Sequence, residues 1–178
     1  QDFKIAAEQI EAAITDKSRV LIFNTPSNPT GKAYRKAELQ ALGEVLLKHP
    51  HVLIATDDIY EHIYWGDEEM TNLGVLFPEL MHRMVFINGV SKAYAMTGWR
   101  IGYAAGPTEI ITAMRKIQSQ STSNPCSISQ AASVAAVNGS QDCLIPMKKA
   151  FKERHDGLVS ALNKLPGFSC IEGEGAFY

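Results

Sequence analysis

"MVFINGVSKAYAMTGWRIGY", Met84–Tyr103, holds two apolar runs on either side of a polar turn. Met84–Asn88 reads as a short buried strand and Ile101–Ala105 as another. Lys92 stands between them, and no charged residue precedes it back to Met84. A lysine desolvated at such a strand end has a lowered pKa and becomes a usable amine nucleophile. A lysine that snorkels from the strand end to water is the plainer reading. Arg100, between Trp99 and Ile101, offers a fixed fork of donors suited to a phosphate, or to a structural ion pair.

Working upstream, Val52–Thr56 is a second apolar, β-branched run, and it leads into "TDDIY". Val20–Phe23 is a third, and it leads into "NTPSNPTG", Asn24–Gly31. Lys36–Lys48 reads as an amphipathic helix with Leu39, Leu42, Val45 and Leu46 on one face. Phe3, Ile5, Ala6, Ile10, Ala13 and Ile14 also recur at helical spacing. Downstream, Pro107 opens a helix to about Gln118. Ser127–Asn138 is an Ala-rich helix, and Pro146 starts a long one to about Leu165. Pro166-Gly167 breaks it, and Phe168–Ile171 is expected to be a strand leading elsewhere.

Short apolar strands separated by helices predict an α/β sheet covered on both faces. Ligands of such sheets sit beyond the carboxyl ends of the strands. That singles out Asn28 after the first strand, Asp57, Asp58 and Tyr60 after the second, and Ser91 and Lys92 after the third. The neighbours Asp57 and Asp58 point to opposite faces, and His62 has no second ligand at usable spacing, so no metal is expected. A domain boundary is expected inside the long helix, near residues 146–155.

The bulk numbers narrow the function classes. The chain has 178 residues, 46% of them apolar, and a net charge of −2. That size suits one domain, or one domain and the start of another. Near-neutrality gives no electrostatic case for nucleic acid or an anionic membrane. No apolar run approaches the roughly 20 residues that span a bilayer. Cys126, Cys143 and Cys170 are odd in number and widely spaced, as expected of reduced thiols in the cytoplasm. Both ends look cut, so the chain is expected to be a segment of a longer protein.

Taken together, the strand-end residues match the needs of pyridoxal 5'-phosphate. That cofactor needs a lysine for its aldehyde, a carboxylate for its ring nitrogen, donors for its phenolate oxygen and cations for its phosphate. At "SNPTG", "DDIYEH" and "SKAYAMTGWRIGY" the chain resembles the class I/II aminotransferases of pyridoxal-phosphate fold type I, especially the bacterial aspartate aminotransferase branch. The motifs stand in the family's order, and the resemblance covers essentially the whole chain.

The resemblance implies an α/β/α sandwich with a mostly parallel sheet. Residues 1–147 would be part of the cofactor-binding large domain. Residues 148–178 would be a linking helix and the start of the small C-terminal domain. Lys92 matches the family's Schiff-base lysine, and Asp57 the partner of the pyridine nitrogen. Asn28 and Tyr60 match the donors to the phenolate oxygen, Arg100 the phosphate-binding arginine. Ser91 stands where the family often has a hydroxyl near the phosphate. Ser123 and Asn124, in "STSNP", resemble a stretch that reaches across a dimer interface, although a helix-capping loop fits them equally.

Gly89 stands where many relatives have a phosphate-binding serine, and Asp58 where glutamate is commoner. The glycine-rich phosphate cradle would precede Gln1, and the arginine for the substrate carboxylate would follow Tyr178. The implied activity is amino transfer between an amino acid, aspartate first, and a 2-oxo acid such as 2-oxoglutarate, in a homodimer. Aromatic, alanine or kynurenine-type aminotransferases, carbon–sulfur lyases and cyclopropane-forming synthases share these motifs. A ligand-sensing aminotransferase-like domain of a transcription regulator is the non-enzymatic alternative.

Overall fold

A computed structural model describes residues 3–178 of the chain. Four strands lie side by side in sequence order: β1 (Val20–Asn24), β2 (Leu53–Asp57), β3 (Met84–Gly89) and β4 (Gly102–Ala105). Each begins and ends within one residue of its expected position. β1, β2 and β3 are parallel, and β4 runs antiparallel to β3. The connections explain the directions. A helix, α2 (Lys36–Leu47), crosses over between β1 and β2. A short helix, α3 (Leu73–Leu76), and a 3-10 turn, Pro78–Arg83, lie between β2 and β3. Only the 3-10 turn Thr97–Trp99 separates β3 from β4, so the chain reverses instead of crossing over.

The core lies between α2 and one face of this sheet. Leu39, Leu42, Val45 and Leu46 of α2 pack with Phe23, Ile54 and Met84 of the strands, and with Ile10 of α1 (Ala7–Ala13). Burying each such side chain contributes about 1.5–3 kcal/mol before the entropic cost of ordering it. Glu38 fixes the start of α2: its carboxylate accepts from the Arg35 backbone N–H at 2.7 Å and from Lys4 at 2.8 Å. Arg83 fixes the other end. Its buried guanidinium donates to the Leu46 carbonyl at 2.6 Å and also to the Val52 carbonyl, tying the last turn of α2 to the chain entering β2.

Over β1 and β2 the second face of the sheet is open. Val20 and Leu53 are exposed there, and Ile22 is 76% exposed. The mostly parallel α/β sheet is as expected, but the described residues cover it on one side at these strands.

Three helices follow the sheet: α4 (Thr108–Ser119), α5 (Ser127–Asn138) and α6 (Leu144–Leu162). α6 begins two residues before the expected Pro146. Proline fits there because N–H groups in a first helical turn have no intrahelical partner. The expected strand at Phe168–Ile171 does not form. Asn163, at the end of α6, takes both backbone groups of Cys170 instead. Its Oδ1 accepts from the Cys170 N–H at 2.6 Å, and its Nδ2 donates to the Cys170 carbonyl at 3.0 Å. Those groups are then not offered to a neighbouring strand. All three cysteines are free thiols.

Candidate active site

Parallel register brings the ends of the first three strands level: Asn24 pairs with Asp57, and Asp57 with Ile87. Asn24 stitches them together. Its Nδ2 donates to the Asp57 carbonyl at 2.8 Å, while its Oδ1 accepts from the Asn28 N–H at 2.8 Å. One side chain therefore couples the NPTG turn to the end of β2. The Thr25–Pro26 and Asn28–Pro29 peptides are both cis.

Asp57 and Asp58 part as strand alternation requires. Asp57 is half-buried, and its Oδ1 accepts from the Ile59 N–H at 3.3 Å. Asp58 is 5% exposed. Burial raises its carboxyl to a pKa of about 7, helped by the charges of Glu61 and Asp57 and opposed by a hydrogen bond from Thr56. Among the described residues no group of three or more His, Cys, Asp or Glu side chains is arranged to hold a metal ion.

Tyr60 follows in the same turn and is 3% exposed. Its ring meets those of Phe177 and Tyr178 edge-on, with centroids 5.5 and 5.9 Å away. Its hydroxyl lies 2.8 Å from that of Tyr178. Burial first, then the Tyr178 hydroxyl and the Asp57 charge, pushes the Tyr60 phenol above its ordinary pKa, while a hydrogen bond with Asn28 pulls the other way. Lys92, half-buried in the turn after β3, places Nζ 5.9 Å from the Tyr60 ring centroid and 5.6 Å from that of Phe177. Thus Asn28, Asp57, Tyr60 and Lys92 gather at the carboxyl edge of the sheet.

The remaining candidates lie outside this group of contacts. Ser91 is half-buried beside Lys92. Arg100 is exposed, with a left-handed φ of 57°, and its Nη1 donates to the Thr97 carbonyl at 3.1 Å. Ser123 and Asn124 are exposed and line a shallow cleft with Arg115 and Lys116 of α4. At Gly89, a Cβ would stand 3.0 Å from the Ile101 carbonyl. The antiparallel turn-back of β4 thus leaves little room there for a larger residue.

Sequence reasoning missed the strap Gly173–Tyr178. The Glu174 and Gly175 N–H groups both donate to the Gly31 carbonyl, at 2.7 and 2.9 Å, and the Ala176 N–H donates to Ile63 at 2.7 Å. Gly31 has φ +65°, and a Cβ on it would lie 2.9 Å from the Gly175 carbonyl, so glycine suits this crossing twice over. Trp65 donates its indole N–H to the Gly173 carbonyl at 3.0 Å. His155 Nε2 accepts from the Gly173 N–H at 2.9 Å, which leaves Nδ1 to donate to Asp156 at 3.1 Å. The strap delivers Phe177 and Tyr178 to Tyr60 and Lys92. A cleft of about 660 Å³, lined in part by Pro29, Phe151, Arg154, Phe177 and Tyr178, opens beside it.

Comparison with known proteins agrees with this geometry. The family model described as aminotransferase class I and II matches residues 1–178. An aspartate/prephenate aminotransferase of Nitrosomonas europaea is 56% identical over 178 residues, covering all of this chain and 45% of that protein. Among solved structures, the aspartate aminotransferase of Rhizobium meliloti superposes with a TM-score of 0.95 at 52% identity, over 98% of this chain and 44% of that one. The Thermus thermophilus aspartate aminotransferase with maleate gives a TM-score of 0.87 at 36% identity, over 98% of this chain and 45% of its own. The chain spans less than half the length of these relatives.

Proposed function

Because the chain belongs to the class I and II aminotransferases, we propose that it carries the amine, carboxylate and phenol of a pyridoxal 5'-phosphate site, in an enzyme that moves the amino group of aspartate to a 2-oxo acid. The observation that carries the reading is the gathering of Lys92, Tyr60, Asn28 and Asp57 at one edge of the sheet. The donor set fits the cofactor: an amine among aromatic rings, a half-buried carboxylate, and a phenol within hydrogen-bonding reach of an amide.

When bound, pyridoxal phosphate supplies an aldehyde that takes up the amino group and a ring that withdraws electrons from the substrate α-carbon. Lys92 would hold the aldehyde carbon, and its amine, once displaced, would move the proton at the substrate α-carbon. The Asp57 carboxylate would accept the ring nitrogen's N–H and keep that nitrogen charged. Tyr60 and Asn28 would donate to the phenolate oxygen. Arg100 and Ser91 would serve the phosphate after a reorientation of the Arg100 side chain away from Thr97.

Relatives named for both aspartate and prephenate favour aspartate as donor, with 2-oxoglutarate or prephenate as acceptor. Their names also favour amino transfer over carbon–sulfur cleavage. We further infer a homodimer in which Ser123 and Asn124 approach the partner's site, and a cytoplasmic location. Among the described residues no helix is long and apolar enough to cross a membrane. Residues 1–147 would belong to the large domain, and 148–178 to the linking helix and the start of the small one.

The test is the visible spectrum of the full-length protein with added pyridoxal phosphate, followed by borohydride reduction and peptide mass mapping. A pH-sensitive band with the label on Lys92 is expected. Lys92→Ala should abolish the label and slow aspartate transamination by at least about 10²–10⁴-fold. A folded protein with no band, or a label elsewhere, would sink the reading.

A further inference from the structure

The Tyr60–Tyr178 pair holds information beyond the cofactor contacts. Tyr178 is itself 45% exposed, but it stands next to an anchored segment. The strap that leads to it is tied at Glu174, Gly175 and Ala176 by hydrogen bonds to Gly31 and Ile63, so the chain is anchored two residues before Tyr178. Edge-on ring contacts with Phe177 and Tyr178 hold Tyr60 from the side. The Phe177 and Tyr178 rings also meet, 5.0 Å apart. What these contacts leave free is rotation of the Tyr60 O–H about its C–O bond. A phenol has one proton to donate, and its oxygen can also accept.

Resting on the cofactor reading above, we propose that Tyr178 is a positioning residue, whose hydroxyl 2.8 Å from that of Tyr60 sets the direction in which Tyr60 donates. Either hydroxyl of the pair can donate. Without cofactor Tyr60 donates to Tyr178, which holds its phenol above the ordinary pKa. With a cofactor to receive the Tyr60 proton the bond reverses, so that Tyr178 donates to the Tyr60 oxygen. The Tyr60 proton must then point away from Tyr178, toward the phenolate oxygen of a bound cofactor. Hydrogen bonds in series polarise one another, so Tyr178 also strengthens the Tyr60 donation. Losing either hydroxyl makes the phenolate oxygen more basic and raises the apparent pKa of the cofactor's visible band.

The experiment titrates that band with pH in the full-length holoenzyme and in Tyr60→Phe, Tyr178→Phe and the double variant. Tyr178→Phe keeps the ring against Phe177, and far-ultraviolet circular dichroism checks the fold. Tyr60→Phe should raise the apparent pKa most. Tyr178→Phe should raise it by about half a unit, and by nothing further when Tyr60 is already Phe. In the cofactor-free protein, the ultraviolet signal of phenolate formation should move to lower pH in Tyr178→Phe, because there Tyr60 donates its proton to Tyr178 and loses that stabilising acceptor in the variant. A shift with Tyr60→Phe and none with Tyr178→Phe overturns the inference alone. So does a Tyr178→Phe shift that persists in the double variant. No shift with Tyr60→Phe overturns the placement of the phenolate oxygen and the inference with it.

Discussion

The chain up to β4 and the three helices after it are both well-formed secondary structure, yet they are held in different ways. From Ile10 to Met84, α1, α2, α3 and the first three strands share one buried apolar cluster. In α4 no residue is buried, in α5 only Ser133, and in α6 only Val159. Ile117, Ile128, Val134, Ile145 and Leu158 of these helices stay exposed. Helices of about a dozen residues are marginal by propensity alone. Local pairs such as Lys152–Asp156, at 2.5 Å, add only tenths of a kcal/mol each. The difference teaches that an apolar stripe is no measure of burial. It also shows where the candidate site gets its rigidity: Asn28, Asp57, Tyr60 and Lys92 all hang from the first region.

Core truncation should break the symmetry between the regions most. Leu39→Ala in α2 is expected to cost about 2–5 kcal/mol in the 178-residue chain. Ile128→Ala in α5, where the side chain is 77% exposed, should change stability by no more than about 0.5 kcal/mol. Urea denaturation of both variants is the check, and equal losses would erase the contrast.

One chemical change can also be made to give opposite signs. At Gly43 in α2 a Cβ would lie 2.1 Å from the Phe77 ring. Gly43→Ala must therefore displace that ring, at about 1–3 kcal/mol. At Gly157 in α6 nothing lies within 4 Å. There Gly157→Ala should stabilise by about 0.5–1 kcal/mol through helix propensity. Thermal melting reads both, and two changes of the same sign would contradict the packing described for one of the sites.

Much of this organisation is legible in the residues themselves. The apolar runs mark all four strands, because a buried strand needs little more than a short β-branched stretch between turn formers. The same pattern is silent on direction, and β4 turns antiparallel for want of a helix in the preceding link. It is equally silent on cover, since Ile22 looks no different from Phe23 until a helix lies over one and not the other. Phe168–Ile171 misled because its apolar composition suits a strand, while the decisive group, the Asn163 amide, lies outside the run. The strand-end residues stood out through their types and the family motifs. Tyr178 did not, since it lies 118 residues from Tyr60 and an aromatic pair near a chain end is an ordinary sight. Asn24 could have been found, as an amide at the last position of a parallel strand with its partners one strand away.

Acid titration offers a smaller and more local contrast. In the first region Asp58 titrates near 7, raised above its ordinary value of 3.8 by burial and then by Glu61. Between those two values the folded state binds a proton that the unfolded state has lost, so stability falls as pH rises from about 4 to 7. Asp58→Asn should flatten that slope. In α6 the Asp156 carboxyl is held below its ordinary value, first by the hydrogen bond from Lys152 and then by that from His155. Its contribution has the other sign: it is present above about 4 and is lost as pH falls through the lowered folded value. Acidification from pH 7 should therefore first relieve the sheet edge and only afterwards loosen α6. Carboxyl-carbon NMR titration resolves the two groups, with the midpoint of Asp58 expected above that of a free aspartate and that of Asp156 below it. If Asp58 titrated at or below the ordinary value, its burial beside Glu61 would not act on its charge, and the electrostatic half of the contrast between the two regions would fall.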